Sequence, residues 1–210
     1  MKFIIKGQER DLYIEYKKKK NLSINLSPEG FITIRAPLGI SDDQLRQAVE
    51  SLIPRLEKKL DKLEENRKIY EAGSFNRDQN FKLFGKDYDL EDFDLKDKED
   101  LRKFYRDKLS QVLDQLLKDY SKKMKLSYKS YRINEVKTTW GTCSSDGRLS
   151  FNLRLAMAPV DVIEYVVIHE LSHRKHMNHD RSFWNHVGSY MKDYKDKENY
   201  LKAFGAFMTL

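Results

Sequence analysis

The stretch Val166-Val167-Ile168-His169-Glu170-Leu171-Ser172-His173-Arg174-Lys175-His176-Met177-Asn178-His179 decides how the rest of the chain is read. All 5 histidines fall between His169 and His186, and residues 169–173 have the form HExxH. On an α-helix, residues four apart differ by about 40° in azimuth and lie about 6 Å apart along the axis. His169 and His173 therefore share one face and can bind one Zn²⁺, while Glu170 can reach a metal-activated water as general base. The apolar lead Val162, Ile163, Val166 and Val167 predicts a buried helix that would hold the imidazoles rigidly.

A zinc site that does chemistry has three protein ligands and leaves a fourth position to water. His179 is the candidate third ligand. It lies too far along for the same helical face, but Asn178 tolerates the left-handed conformation that ends helices, after which the chain can fold back. His176 is the competitor, one turn beyond the pair and aimed differently. The alternative to a metal site is a hydrogen-bonded, half-buried histidine cluster.

With 210 residues the chain can form one large or two small domains, and it is long enough to bury a core. Charged residues make up 35%, above the usual quarter or so, so much of the surface is solvated. The formal net charge of +7 favours an acidic partner, nucleic acid among them. Lysines alternate with acids along most of the chain, which weakens that inference. Cys143 is the only cysteine, so no intrachain disulfide forms, and it reads as a small buried hydrophobe rather than a nucleophile. The start has too short an apolar run for a signal peptide, and no stretch approaches a membrane span. Cytoplasm is the expected compartment.

The expected fold class is α+β, divided into an N-terminal β-rich scaffold or substrate-binding region over 1–98 and a C-terminal metal-binding domain over 99–210. Lys2 to Ile5, Leu12 to Lys17, Leu22 to Leu26 and Phe31 to Arg35 read as short strands, with a turn signal at Ser27-Pro28-Glu29-Gly30. Lys17 to Lys20 reads as a solvated hairpin tip, with a phosphate-binding patch as the other reading. Ser41 caps a helix whose apolar residues run from Leu45 to Leu63, and Pro54 should kink or split it. Gly73 and Gly85 punctuate the next stretch, and Phe81 to Gly85 looks like a small hairpin.

Asp92 to Asp100 is dense in charge and reads as a boundary, with a surface loop inside one domain as the other reading. A long amphipathic helix follows, with Leu101, Phe104, Tyr105, Leu109, Val112, Leu113, Leu116, Leu117, Tyr120 and Met124 in helical register, a partner for the metal helix. Tyr131 to Val136 and Thr138 to Thr142 read as extended, and Ser145-Asp146-Gly147 as a hairpin turn. Thr139-Trp140-Gly141-Thr142 is the candidate sheet edge for an extended substrate, with simple packing of Trp140 as the other reading. Pro159 suits the first turn of the metal helix. Asp180 can cap a further helix carrying Phe183, Trp184, Val187, Met191 and Tyr194. His186, Tyr190 and Tyr194 are candidates for stabilising an oxyanion, each with ordinary packing as the alternative.

These residues carry a resemblance. Trp140-Gly141-Thr142-Cys143-Ser144, Asn152-Leu153-Arg154-Leu155, the HExxH stretch and Asn178-His179-Asp180-Arg181-Ser182-Phe183-Trp184 resemble the YgjP-like zinc metallopeptidases, relatives of the WLM and SprT-like groups. Leu22 to Ile40, with Arg35-Ala36-Pro37-Leu38-Gly39, is similar to the leading region of that family. The resemblance implies a gluzincin-like minimal protease fold in which an active-site helix packs on a small sheet. It also implies Zn²⁺ on His169, His173 and His179, Glu170 as catalytic base, and a peptide or protein substrate. The family often has Arg before Trp-Gly, where this chain has Thr139. A DNA-associated protein, a protease acting on nucleic-acid-bound proteins, and a non-peptide hydrolase are the competing functions.

Overall fold

Alternation of apolar and polar residues builds the first part of the chain. The computed structural model describes all residues except 1, 28–30, 73–79 and 137, so the turn at 28–30 and Gly73 lie outside the described residues. Strands β1 (Lys2–Ile5) and β2 (Gln8–Asp11) form an antiparallel hairpin. Its two-residue turn, Lys6 and Gly7, has both φ angles positive, at 52° and 72°. β2 was absent from the expected strands because Gln-Glu-Arg-Asp has no apolar residue; the turn, not hydropathy, makes it a strand.

Strands β3 (Tyr13–Lys17), β4 (Ser23–Leu26) and β5 (Ile32–Pro37) form a sheet of order β3-β5-β4, in which β5 pairs parallel with β3 and antiparallel with β4. Ile32, Ile34 and Ala36 of β5 are buried with Leu45, Val49, Leu56 and Leu60 of helix α1 (Asp42–Ala72). Ser41 caps α1 reciprocally: its Oγ accepts from the Gln44 N–H at 3.3 Å, and its own N–H donates to Gln44 Oε1 at 3.3 Å. Of the two effects expected of Pro54, a kink or a split, the split does not occur: α1 runs through it unbroken. Pro54 and Glu50 are both exposed, so water can satisfy the Glu50 carbonyl that proline leaves without its helical donor.

The chain divides into two compact units, Met1–Tyr70 and Glu71–Leu210. The charged stretch 92–100 lies inside the second unit, where Asp97 caps helix α2 (Lys98–Met124) by accepting from the N–H groups of Glu99 and Asp100. The hairpin β6 (Asn80–Leu83) and β7 (Lys86–Asp89) also belongs to that unit. Phe81 packs edge-on against Phe93, Phe104 and Tyr105, and the Tyr105 hydroxyl donates to the Lys82 carbonyl at 2.6 Å.

Strands β8 (Ser130–Asn134), β9 (Gly141–Cys143) and β10 (Arg148–Asn152) form the sheet of the second unit, in the order β8-β10-β9. β9 is an edge strand. Thr138 to Trp140, expected to be extended, lie before β9 in an irregular segment hung from Asn152, whose Nδ2 donates to the carbonyls of Val136 and Thr139 at 2.5 and 2.8 Å. Helix α3 (Val160–Ser172) is buried nearly all round and packs on α2, whose inward stripe is Tyr105, Leu109, Leu113, Leu117, Tyr120 and Met124. The Tyr120 hydroxyl donates to Glu164, which ties the two helices together. The helix expected after Asp180 is two: α4 (Arg181–Tyr190) and α5 (Tyr194–Phe204), with Met191 extended between them. That break lets Tyr194 turn back and stack on Trp184, with ring centroids 5.4 Å apart at 15°. The class is α+β, as expected.

Candidate metal centre

Burial of α3 comes first, because a helix held on all sides presents its last turn rigidly. α3 ends at Ser172, with His173 at its C-cap, and a turn follows in which the Lys175 and His176 N–H groups both return to the Ser172 carbonyl. Asn178 is not among the residues with positive φ, so the left-handed step expected there is absent. The chain turns back earlier, through 174–176, and Asp180 caps α4 by accepting from the N–H groups of Ser182 and Phe183.

This turn brings His179 to the helix pair. Ligand-capable atoms of His169, His173 and His179 all lie within 4.8 Å of one another, and Nε2 of His179 is 2.9 Å from Nε2 of His169. Phe183, fully buried, contacts all three rings at centroid distances of 4.9, 4.6 and 4.7 Å. It forms an apolar wall that fixes them, and no spacing rule singled it out.

The groups that orient the imidazoles are also visible. His173 Nδ1 lies 3.0 Å from the His176 carbonyl, which can only accept, so Nδ1 carries the hydrogen and Nε2 is left for a cation. His169 Nδ1 faces the hydroxyl of Tyr165, one turn earlier on α3, at 3.4 Å. Burial, with His173 and His179 beside it, holds His169 down to about 3, and burial likewise lowers His173. Both rings are therefore neutral near pH 7, as metal ligands must be. Three converging imidazoles suit zinc or a similar divalent metal.

Glu170 is 5% exposed, and burial pushes its carboxyl up to about 8; a bound dication would oppose that shift. The β9 backbone passes directly over it. A Cβ built on Gly141 would lie 2.6 Å from Glu170 Oε1 and 2.7 Å from Cγ, so any larger residue must push the Glu170 side chain aside. This is the physical content of Trp140-Gly141-Thr142, and the sequence signal was the glycine inside a strand.

The other candidates go elsewhere. His176 faces Ser182 Oγ at 3.1 Å and the His186 ring at 5.4 Å. His186 Nδ1 contacts Ser172 Oγ at 3.1 Å; that hydroxyl donates to the Ile168 carbonyl, so it accepts from His186. Tyr190 packs against His186 at 5.2 Å. Burial pushes the half-buried Cys143 thiol up, which favours the inert reading. Trp140 packs under the Arg154 guanidinium at 4.6 Å, and Arg154 also donates to the carbonyls of Val136, Gly205 and Met208. Asn152 and Arg154 thus fasten the segment ahead of β9.

A family model described as YgjP-like, metallopeptidase domain, matches residues 20–94 and 91–204. The chain belongs to that family. Membership of this YgjP-like metallopeptidase in a peptidase family implies a metal and a peptide or protein substrate. No curated protein matches the chain. Among solved structures, the crystal structure of the metallopeptidase zymogen of Pyrococcus abyssi abylysin is similar over 42% of this chain and 90% of that one, at 22% identity and a TM-score of 0.40. That likeness is too slight to carry further inference. Among the described residues, no helix of the YgjP-like chain is long and apolar enough to cross a membrane.

Proposed function

We propose that this chain is a zinc-dependent metallopeptidase in which His169, His173 and His179 hold Zn²⁺ and Glu170 is the general base. The observation that carries the reading is the convergence of three imidazoles beside a buried carboxyl. The chemistry that zinc supplies when bound is acidification of a water and polarisation of the peptide carbonyl. The Glu170 carboxylate takes the proton from the attacking water and returns it to the leaving amine. The Tyr165 hydroxyl and the His176 carbonyl keep the ligand rings in their tautomer and orientation.

Substrate positioning falls to β9. The Asn152 N–H donates to the Trp140 carbonyl, and the Ser144 N–H to the Arg148 carbonyl. In the antiparallel register Gly141↔Phe151 and Cys143↔Leu149, the main-chain groups of Gly141 and Cys143 therefore point away from β10 to the open edge. An extended peptide paired there would lie beside Glu170 with its side chains read only loosely.

The test combines metal analysis with casein digestion. Glu170→Gln should keep its zinc and lose about 10²-fold or more of the activity, the range of a positioned base. His173→Ala should lose the metal. Undiminished turnover in Glu170→Gln contradicts the reading.

A further inference from the structure

A second open edge lies in the first unit, and its chemistry differs from that of the metal centre. Among the described residues, β4 pairs only with β5. The Ser27 N–H donates to the Phe31 carbonyl at 2.8 Å, in register with Leu26↔Ile32 and Ile24↔Ile34. Ser23, Asn25 and Ser27 are thus the hydrogen-bonded positions, and the main-chain groups of Ile24 and Leu26 turn outward, unpaired with β5. Exposed edges are ordinarily guarded by charge, proline or a bulge. β4, Ser-Ile-Asn-Leu, has neither charge nor proline.

A groove runs beside this edge, between β4 and α1. Leu22, Ile24, Leu26, Leu52 and Leu56 give it an apolar floor, and Arg55 and Lys59 stand at its rim. These two cations are exposed, one helical turn apart on α1, and among the described residues neither has an ion pair or hydrogen bond. Free strand hydrogen bonds, an apolar floor and two unpaired cations together select a narrow class of ligand.

We propose that the β4 edge and this groove dock an extended segment of a partner protein, added as a strand, whose groove-facing side chains are an apolar residue flanked by acidic ones. Main-chain pairing with Ile24 and Leu26 supplies the affinity common to any strand. The apolar side chain covers Leu52 and Leu56, and the carboxylates neutralise Arg55 and Lys59. The site lies wholly within residues 22–59, so binding does not require the metal centre to be hydrolytic.

The probe is a fluorescent heptapeptide, Thr-Glu-Thr-Leu-Thr-Glu-Thr, which presents Glu, Leu and Glu on one face when extended. Anisotropy with the full chain should show saturable binding, and hydrogen exchange at the Ile24 and Leu26 amides should slow on binding. Affinity should fall at least about tenfold in the double variant Arg55→Glu, Lys59→Glu, and for a peptide N-methylated at alternate residues. Lysine in place of glutamate should abolish binding to the natural chain and restore it to the double variant. That swap separates recognition from a folding defect. Absence of binding, unchanged affinity in the double variant without the swap, or displacement of the peptide by oligothymidylate at equal concentration would overturn the proposal. The last result would mark the groove as a phosphate surface instead. Because the readout is binding alone, failure here leaves the hydrolase reading intact, and the reverse holds too.

Discussion

At the scale of single residues, Glu170 and Gly141 act as a pair. Glu170 can be buried beside the imidazoles because the strand crossing it has no Cβ. Gly141→Ala should displace the carboxyl, so kcat should drop by at least tenfold while zinc content is unchanged. A Gly141→Ala protein with full kcat would remove Gly141 from the account. Tyr165→Phe keeps the ring and removes the hydroxyl facing His169. Zinc affinity, titrated against a chromophoric chelator, should weaken by about tenfold, the low end for lost groups behind a metal ligand. That His169 and His173 share one face was legible from the HExxH spacing, and His179, the candidate to join them, does lie beside them. Their supports were not legible. Tyr165 reads as a core aromatic, the His176 carbonyl is invisible in a side-chain alphabet, and Phe183 differs in no way from any apolar residue on a capped helix.

Among elements, α3 matters most, and its position depends on α2. Leu113 is fully buried in the stripe that α2 presents. Leu113→Ala should destabilise the protein by about 2–5 kcal/mol in urea unfolding, the usual range for a buried leucine truncation. A change below about 0.5 kcal/mol, the size of a surface effect, would mean that this contact does not hold α3. Periodicity of 3.6 made α1, α2 and α3 legible, and period-two alternation gave β4 and β5. It could not give β2, which a turn with two positive φ angles creates from four polar residues. Nor did it give the break at Met191, where stacking of Tyr194 on Trp184 prevails over the continuing helical pattern. At Pro54 the helix continues rather than splits, because water can satisfy an exposed carbonyl.

For the whole molecule, the two units carry separable chemistry: an α1-covered sheet with an open edge in residues 1–70, and the histidine cluster in residues 71–210. On the proposed reading, zinc would bind only the folded arrangement that brings His169 and His173, at the end of α3, to His179, just ahead of α4, so binding should add to stability. At about a thousandfold excess over Kd the gain is about 4 kcal/mol, seen as a higher melting temperature that EDTA reverses and His173→Ala lacks. The net charge of +7, the one whole-chain property read easily from composition, does not identify a partner, because acids and bases alternate. Arg55 and Lys59, without partners among the described residues, became visible only once the fold placed them beside the β4 edge.

The most direct test is anomalous diffraction at the zinc edge from crystals grown with Zn²⁺. The account predicts one strong peak within bonding reach of Nε2 of His169, His173 and His179, with Glu170 beside it but not bound to it. A peak held by His176 and His186, or a fourth protein side chain closing the coordination sphere, would contradict it.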